Sequence, residues 1–130
     1  KHCQDRVDGF QSVVANPRLC GALSNSTYSY LRADWQRPQA AALVSRMLSF
    51  QPGIRTVFAC SGYMALGAAE AMRSKGVKQP HIIGYDAVPD ILQAIHDGSV
   101  LYSIDQIRSG SRDGVPWTFK GLAAKQGAEA

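Results

Sequence analysis

The sequence predicts an α/β fold, a three-layer sandwich with a mainly parallel sheet. Two observations carry that prediction. Short β-rich apolar runs alternate with amphipathic stretches, and the stretches between them have the 10–15-residue length of βαβ crossovers, which are right-handed. A third observation sets the scale: 130 residues, 45% hydrophobic and 18% charged, suit one globular core rather than two full domains or a disordered chain.

Residues 4–16 place Val7, Phe10 and Val14 at i, i+3 and i+7, one helical face, and Asn16-Pro17 ends that helix. Residues 21–31 lean toward strand but are polar. Residues 36–50 carry Leu43, Val44, Met47 and Leu48 on one stripe, an amphipathic helix stopped by Gln51-Pro52-Gly53. Arg55 to Cys60 reads as a short buried strand. Residues 63–75, rich in Ala and Met, read as a helix closed by Gly76. His81 to Gly84 is the next buried strand. Val88, Ile91, Leu92 and Ile95 then share a helical face, with Pro89 in the first turn and Gly98 after the end. Val100 to Ile104 is the last strand-like run. Beyond Gln106 the composition changes: residues 108–115 hold two Gly and two Ser, and residues 120–130 read as a weak helix at best. Residues 107–130 are therefore expected to be a loosely attached tail. The chain opens on a helix with no strand before it, which is unusual for a doubly wound sheet.

Several function classes are not expected. The longest apolar run, around Met64 to Ala69, is too short to span a bilayer. No basic segment followed by an apolar one opens the chain, so no signal peptide is expected within it, although a trimmed secreted protein would read the same way. The net charge is +4, but Lys and Arg are scattered and not interleaved with aromatics, so no nucleic acid is expected to bind through this chain. Cys3, Cys20 and Cys60 form no C-x-x-C. A Cys3–Cys20 bridge is compatible with an oxidising compartment, and Cys60 reads as a buried thiol. His2, His81 and His96 share no ligand-like spacing, so no metal is expected. No glycine-rich phosphate loop follows a strand, and no cofactor is expected.

In an open α/β sheet, ligands bind beyond the carboxyl ends of the strands. The segments that follow the strand-like runs are Asp34-Trp35-Gln36-Arg37, Ser61-Gly62-Tyr63, Tyr85-Asp86 and Asp105-Gln106, and Arg6 lies in the first turn of the opening helix on the same edge. An aromatic ring, a carboxylate, a guanidinium, an amide and a hydroxyl suit a sugar. The ring covers a C–H face, and the planar polar groups bond vicinal hydroxyls. Each residue also has a purely structural alternative. Trp35 could close the core, Asp86 could be the N-cap of the next helix, and Arg6 could pair with Asp5 or Asp8 on a solvated face. Ser61 sits in a segment resembling a nucleophile elbow, but the flanking glycines of G-x-S-x-G are wrong or displaced and no His is placed to act as its base. An enzyme is not expected.

Five blocks resemble type I periplasmic sugar-binding proteins, the ribose-type substrate-binding proteins of ABC importers in particular. They are Arg6-Val7-Asp8-Gly9-Phe10, Ala33-Asp34-Trp35, Val57 to Ala68, Ile82 to Asp90 with Ala94-Ile95 and Asp97-Gly98, and Ser103-Ile104-Asp105-Gln106. LacI-type repressors share that fold, but Pro89-Asp90 and Asp97-Gly98 favour the transporter branch. The resemblance implies that residues 1–106 are the C-terminal lobe of a two-lobed sugar clamp, with the first strand of the lobe and the whole N-terminal lobe missing. It implies that Arg6, Asp86 and Gln106 bond sugar hydroxyls, Trp35 stacks on the ring and Tyr85 lines the pocket. Ser61 stands where the family has a ligand-binding Asn, and Gly62 where it has Asp. The implied partners are a monosaccharide ligand, ABC permease subunits in the membrane, and the missing lobe or a second chain. The implied location is periplasmic or extracellular. The alternatives are the effector-binding half of a LacI-type regulator or sensor receptor, which would be cytoplasmic in the regulator case, and a divergent interaction module without sugar binding.

Overall fold

The computed structural model describes residues 2–21, 29–107 and 118–124, and it divides into two compact units, Lys1–Arg32 and Ala33–Ala130. In the first unit, α1 spans His2–Val14 and α2 spans Pro17–Cys20. Val7 is buried and Phe10 and Val14 are half-buried, the face that their spacing predicts. Asn16 separates the helices: its side-chain oxygen accepts from the Arg18 N–H at 3.0 Å, and Pro17 supplies the fixed φ of a first helical turn. Most of the weakly strand-like stretch 21–31 lies outside the described residues, as does the side chain of Cys20, on which the Cys3–Cys20 bridge depends.

The second unit contains α3 (Arg37–Phe50), β1 (Thr56–Phe58), α4 (Gly62–Ser74), β2 (His81–Tyr85), α5 (Pro89–Asp97), β3 (Tyr102–Ile107) and β4 (Thr118–Ala124). The sheet order is β1-β2-β3-β4. β1 pairs parallel with β2 and β2 parallel with β3, with Val57 opposite Ile82 and Gly84 opposite Ser103. This is the parallel core that the alternating pattern predicts. α4 touches both α3 and α5 as well as the sheet, so the three helices form one layer on one face. Two of the three predicted layers are thus built within this unit.

β4 corrects the reading of the C-terminal segment. Residues 118–124 are not a weak helix but a strand, antiparallel to β3 along the sheet edge, with an irregularity between Ile104 and Gln106. Lys120, Leu122, Ala123 and Ala124 have good helix propensity. The backbone groups offered by β3 outweigh that preference, because a strand edge satisfies donors and acceptors that an isolated short helix would leave to water.

The core gathers around α4, which is buried almost all round: Met64, Ala65, Leu66, Ala68, Ala69, Ala71 and Met72 all lie inside. That position explains its alanine-rich sequence, since a helix packed on three sides has room only for small residues and a few flexible ones. Val44 and Leu48 of α3, Ile82 of β2, and Ile91 and Ile95 of α5 pack in the same interior. Full burial of a side chain such as Ile82 or Ile91 stabilises by roughly 1.5–3 kcal/mol. Gly76 ends α4 as the sequence predicts. Its φ is +70°, its N–H donates to Arg73 O, and the Val77 N–H donates to Met72 O, the two bonds of a Schellman turn. Gly98 ends α5 at φ +88°.

Candidate functional site

Because β1, β2 and β3 are parallel, their carboxyl ends reach one edge of the sheet, and the residues after them are neighbours there. The Ala59 N–H donates to Ile83 O at 2.8 Å, and the Asp86 N–H donates to Ile104 O at 2.8 Å. A Cβ at Gly62 would lie 3.1 Å from Val88 Cγ2 and 3.5 Å from Tyr85 O, so the turn into α4 packs directly on the turn into α5. Ser61-Gly62, Tyr85-Asp86 and the end of β3 therefore form one continuous rim.

Trp35 reaches the same rim by way of its helix. α3 and α4 run in the same direction: Ala40 and Ala41 meet α4 at Gly67, and Ser49 Oγ accepts from Lys75 Nζ at 3.0 Å near both C-termini. The start of α3, with Asp34 and Trp35 just before it, thus lies at the end where α4 starts. Arg37 fastens that start to α4 through hydrogen bonds from Nε (2.8 Å) and from its second guanidinium nitrogen to Glu70 Oε1. Ala33 is buried, but Trp35 is 46% exposed, so it does not close the core.

Asp86 is not the N-cap of α5. That position belongs to Val88, which has no capping side chain, and the Asp86 backbone instead adopts a left-handed φ of +73°. Asp34 (φ +46°) and Trp35 (φ +65°) do the same, so three of the four described non-glycine residues with left-handed φ lie on this rim, the fourth being Gln79. Such backbone is uncommon outside glycine and collects at ligand sites, where the surrounding structure enforces it. Asp86 is half-buried, and Tyr85 is buried at the end of β2 on the sheet face away from the helices.

Ser61 is buried and caps α4: its Oγ accepts from the Met64 N–H at 3.2 Å. Its backbone is extended (φ −151°, ψ 161°), unlike the strained turn of a nucleophile elbow. His81 begins β2 and His96 lies in the last turn of α5, both at the opposite edge of the sheet from Ser61. Gln106 belongs to β3, where its backbone faces Phe119 of β4, and its side chain lies outside the described residues. Arg6 is half-buried on α1 of the first unit. The rim thus brings together Ser61, Tyr85, Asp86 and the strand that carries Gln106, with Trp35 at the same end, while Arg6 belongs to a separately described unit. Among the described residues, no group of three His, Cys, Asp or Glu side chains could hold a metal ion. No described helix is long and apolar enough to cross a membrane.

One contributor escaped the sequence reading. Ser103 is fully buried, and its Oγ donates to Asp86 O at 2.8 Å. The signal was a hydroxyl inside the apolar run VLYSI, since a buried polar group must find a partner.

Comparison with known proteins completes the picture. A family model described as a periplasmic binding protein domain matches residues 1–109. The ribose import binding protein of Escherichia coli (strain K12) is 30% identical over 104 residues, 80% of this chain and 33% of that protein. The ribose import binding protein of Bacillus subtilis (strain 168) is 36% identical over 103 residues, 79% of this chain and 31% of that protein. A solved structure from Mycobacterium smegmatis, in complex with β-D-fucofuranose, superposes with a TM-score of 0.67 at 30% identity, over 78% of this chain and 33% of that one. The chain spans about a third of the length of these relatives.

Proposed function

The chain belongs to the periplasmic binding protein family, and from that premise we propose that it captures a monosaccharide as one lobe of a solute-binding protein serving an ABC-type importer. The observation that carries this reading is the rim itself, where an exposed aromatic ring and a carboxylate stand on left-handed backbone at the carboxyl edge of a parallel sheet. The ribose-binding and fucofuranose-bound relatives give the ligand class its support.

On this reading, Trp35 covers the apolar face of the sugar ring. The Asp86 carboxylate accepts from two neighbouring hydroxyls, and Gln106 of β3 is a further hydroxyl partner. Tyr85 forms the wall. Ser61 gives one lone pair to the Met64 N–H, which leaves its hydroxyl proton and a second lone pair for ligand. No bond is made or broken in the ligand. A second lobe closes over the sugar, and the closed form is what permease subunits in the membrane recognise. The location is periplasmic or extracellular.

The test is a calorimetric titration with a panel of pentoses and hexoses, on this chain and on a form extended by a first lobe. Binding confined to the extended form is the expected result. Absence of binding in both overturns the sugar reading and leaves an interaction module, for which the commitment of Ser61 to its helix and the bare Gly62 are the supporting observations.

A further inference from the structure

We infer that Ser103 is a positioning residue for the ligand site: its buried hydroxyl holds Asp86 in the left-handed backbone that presents its carboxylate at the rim. The inference rests on the sugar-binding reading above, but the geometry behind it does not.

A left-handed φ at a non-glycine residue has to be imposed by its surroundings. At Asp86 two of the groups that impose it come from β3. The Asp86 N–H donates to Ile104 O at 2.8 Å, which continues the β2–β3 ladder one residue beyond Tyr85. The Asp86 carbonyl accepts from Ser103 Oγ at 2.8 Å. Both ends of the residue are therefore tied to adjacent residues of one strand, and the two peptide planes that define its φ and ψ are tied with them.

The hydroxyl has space because Gly84 faces it. Gly84 and Ser103 are register partners, and a Cβ at Gly84 would lie 3.1 Å from Ser103 Oγ and 3.1 Å from Ala65 Cβ. Ser103 has no exposed surface, so water does not compete for its bond and no ligand reaches it. Its effect on a ligand can pass only through what it holds.

The test has two arms. In the ligand-free chain, Asp86 should show the strong intraresidue N–H to Hα Overhauser effect that a left-handed φ produces. Ser103→Ala should weaken that signal and speed amide exchange at Asp86. In the lobe-completed protein, titrated with the best-binding monosaccharide of the panel, Ser103→Ala should weaken affinity roughly three- to tenfold, the worth of one buried hydrogen bond. In an Asp86→Asn background the same change should cost less than about twofold, because a residue acting only through Asp86 has little left to act on. If Ser103→Ala does not fold, Ser103→Cys keeps the shape with a weak donor and carries the same expectations.

An unchanged Asp86 backbone in the variant overturns the inference whether or not sugar binds. So does an affinity loss that is equally large in both backgrounds, the mark of a general structural defect. Changed backbone signals in a protein whose parent binds no sugar overturn the ligand role together with the sugar reading, and leave the pin as a local device.

Discussion

Asp86 and Asp97 show how position decides what a carboxylate does. Asp86 follows β2 and is tied at its backbone, so its side chain is not needed to cap the helix that comes after it. Asp97 ends α5 at the opposite edge, where its carboxylate accepts from the Ser99 hydroxyl and, at 2.9 Å, from the Ser99 N–H. Those two bonds hold the Asp97 carboxyl below the ordinary aspartate range, with a smaller contribution from the nearby Arg73 charge. A carboxyl depressed on folding contributes stability that is present above the unfolded value, about 3.9, and lost as pH falls through the folded one. Asp97 is exposed, so the effect is small. Asp97→Asn should therefore leave stability near neutral pH slightly reduced and flatten its decline on acidification below about pH 4. Urea unfolding of both forms across that range checks this, and parallel curves would show that the Ser99 bonds carry no linkage.

At the scale of elements, α3 and α4 pack backbone against backbone at Gly67. At Gly67 a Cβ would collide with the Arg37 carbonyl and lie 3.0 Å from Ala41 N, so backbone meets backbone and no side chain can move aside. Gly67→Ala gains in helix propensity by about 1 kcal/mol. It must nevertheless push α3 away, at a cost of typically 1–3 kcal/mol or more. We expect net destabilisation in denaturant titration, and an unchanged midpoint would mean the two helices are not tightly seated. This joint was legible only in part. The apolar stripe of α3 and the Ala- and Met-rich composition of α4 gave both helices within a residue or two, and the Pro and Gly boundaries held because they act locally on the backbone. The glycine pattern within α4 carried no distance, so the contact partner could not be read from it. β4 escaped because Lys120, Leu122, Ala123 and Ala124 favour helix and its strand identity is supplied by β3, a non-local partner. At the candidate site, the position of Asp86 just after a strand was legible, whereas the described residues before Trp35 form no strand and its place at that edge comes from α3. The left-handed backbone beneath them and the support from Ser103 were not legible, because both depend on register between strands.

At the scale of the whole molecule, β4 decides whether the C-terminal segment is an appendage or part of the sheet. A loosely attached tail could be cut without consequence. An edge strand cannot, because its removal leaves the β3 donors and acceptors facing water or another chain. Ending the chain after Ile107 should lower stability on the order of 2–4 kcal/mol, a few net backbone hydrogen bonds. It should also raise light scattering on warming. Equal melting and scattering of the two forms would show the segment to be dispensable. The tight seam at Gly67 has a last consequence of a different kind. It contributes no atom to the rim, yet it joins α3 and α4 into one stiff block, and that block fixes the spacing between the starts of the two helices. On the proposed reading, a sugar held between Trp35 and Ser61 has little loop entropy to quench, because the spacing of its partners is set in the backbone before it arrives.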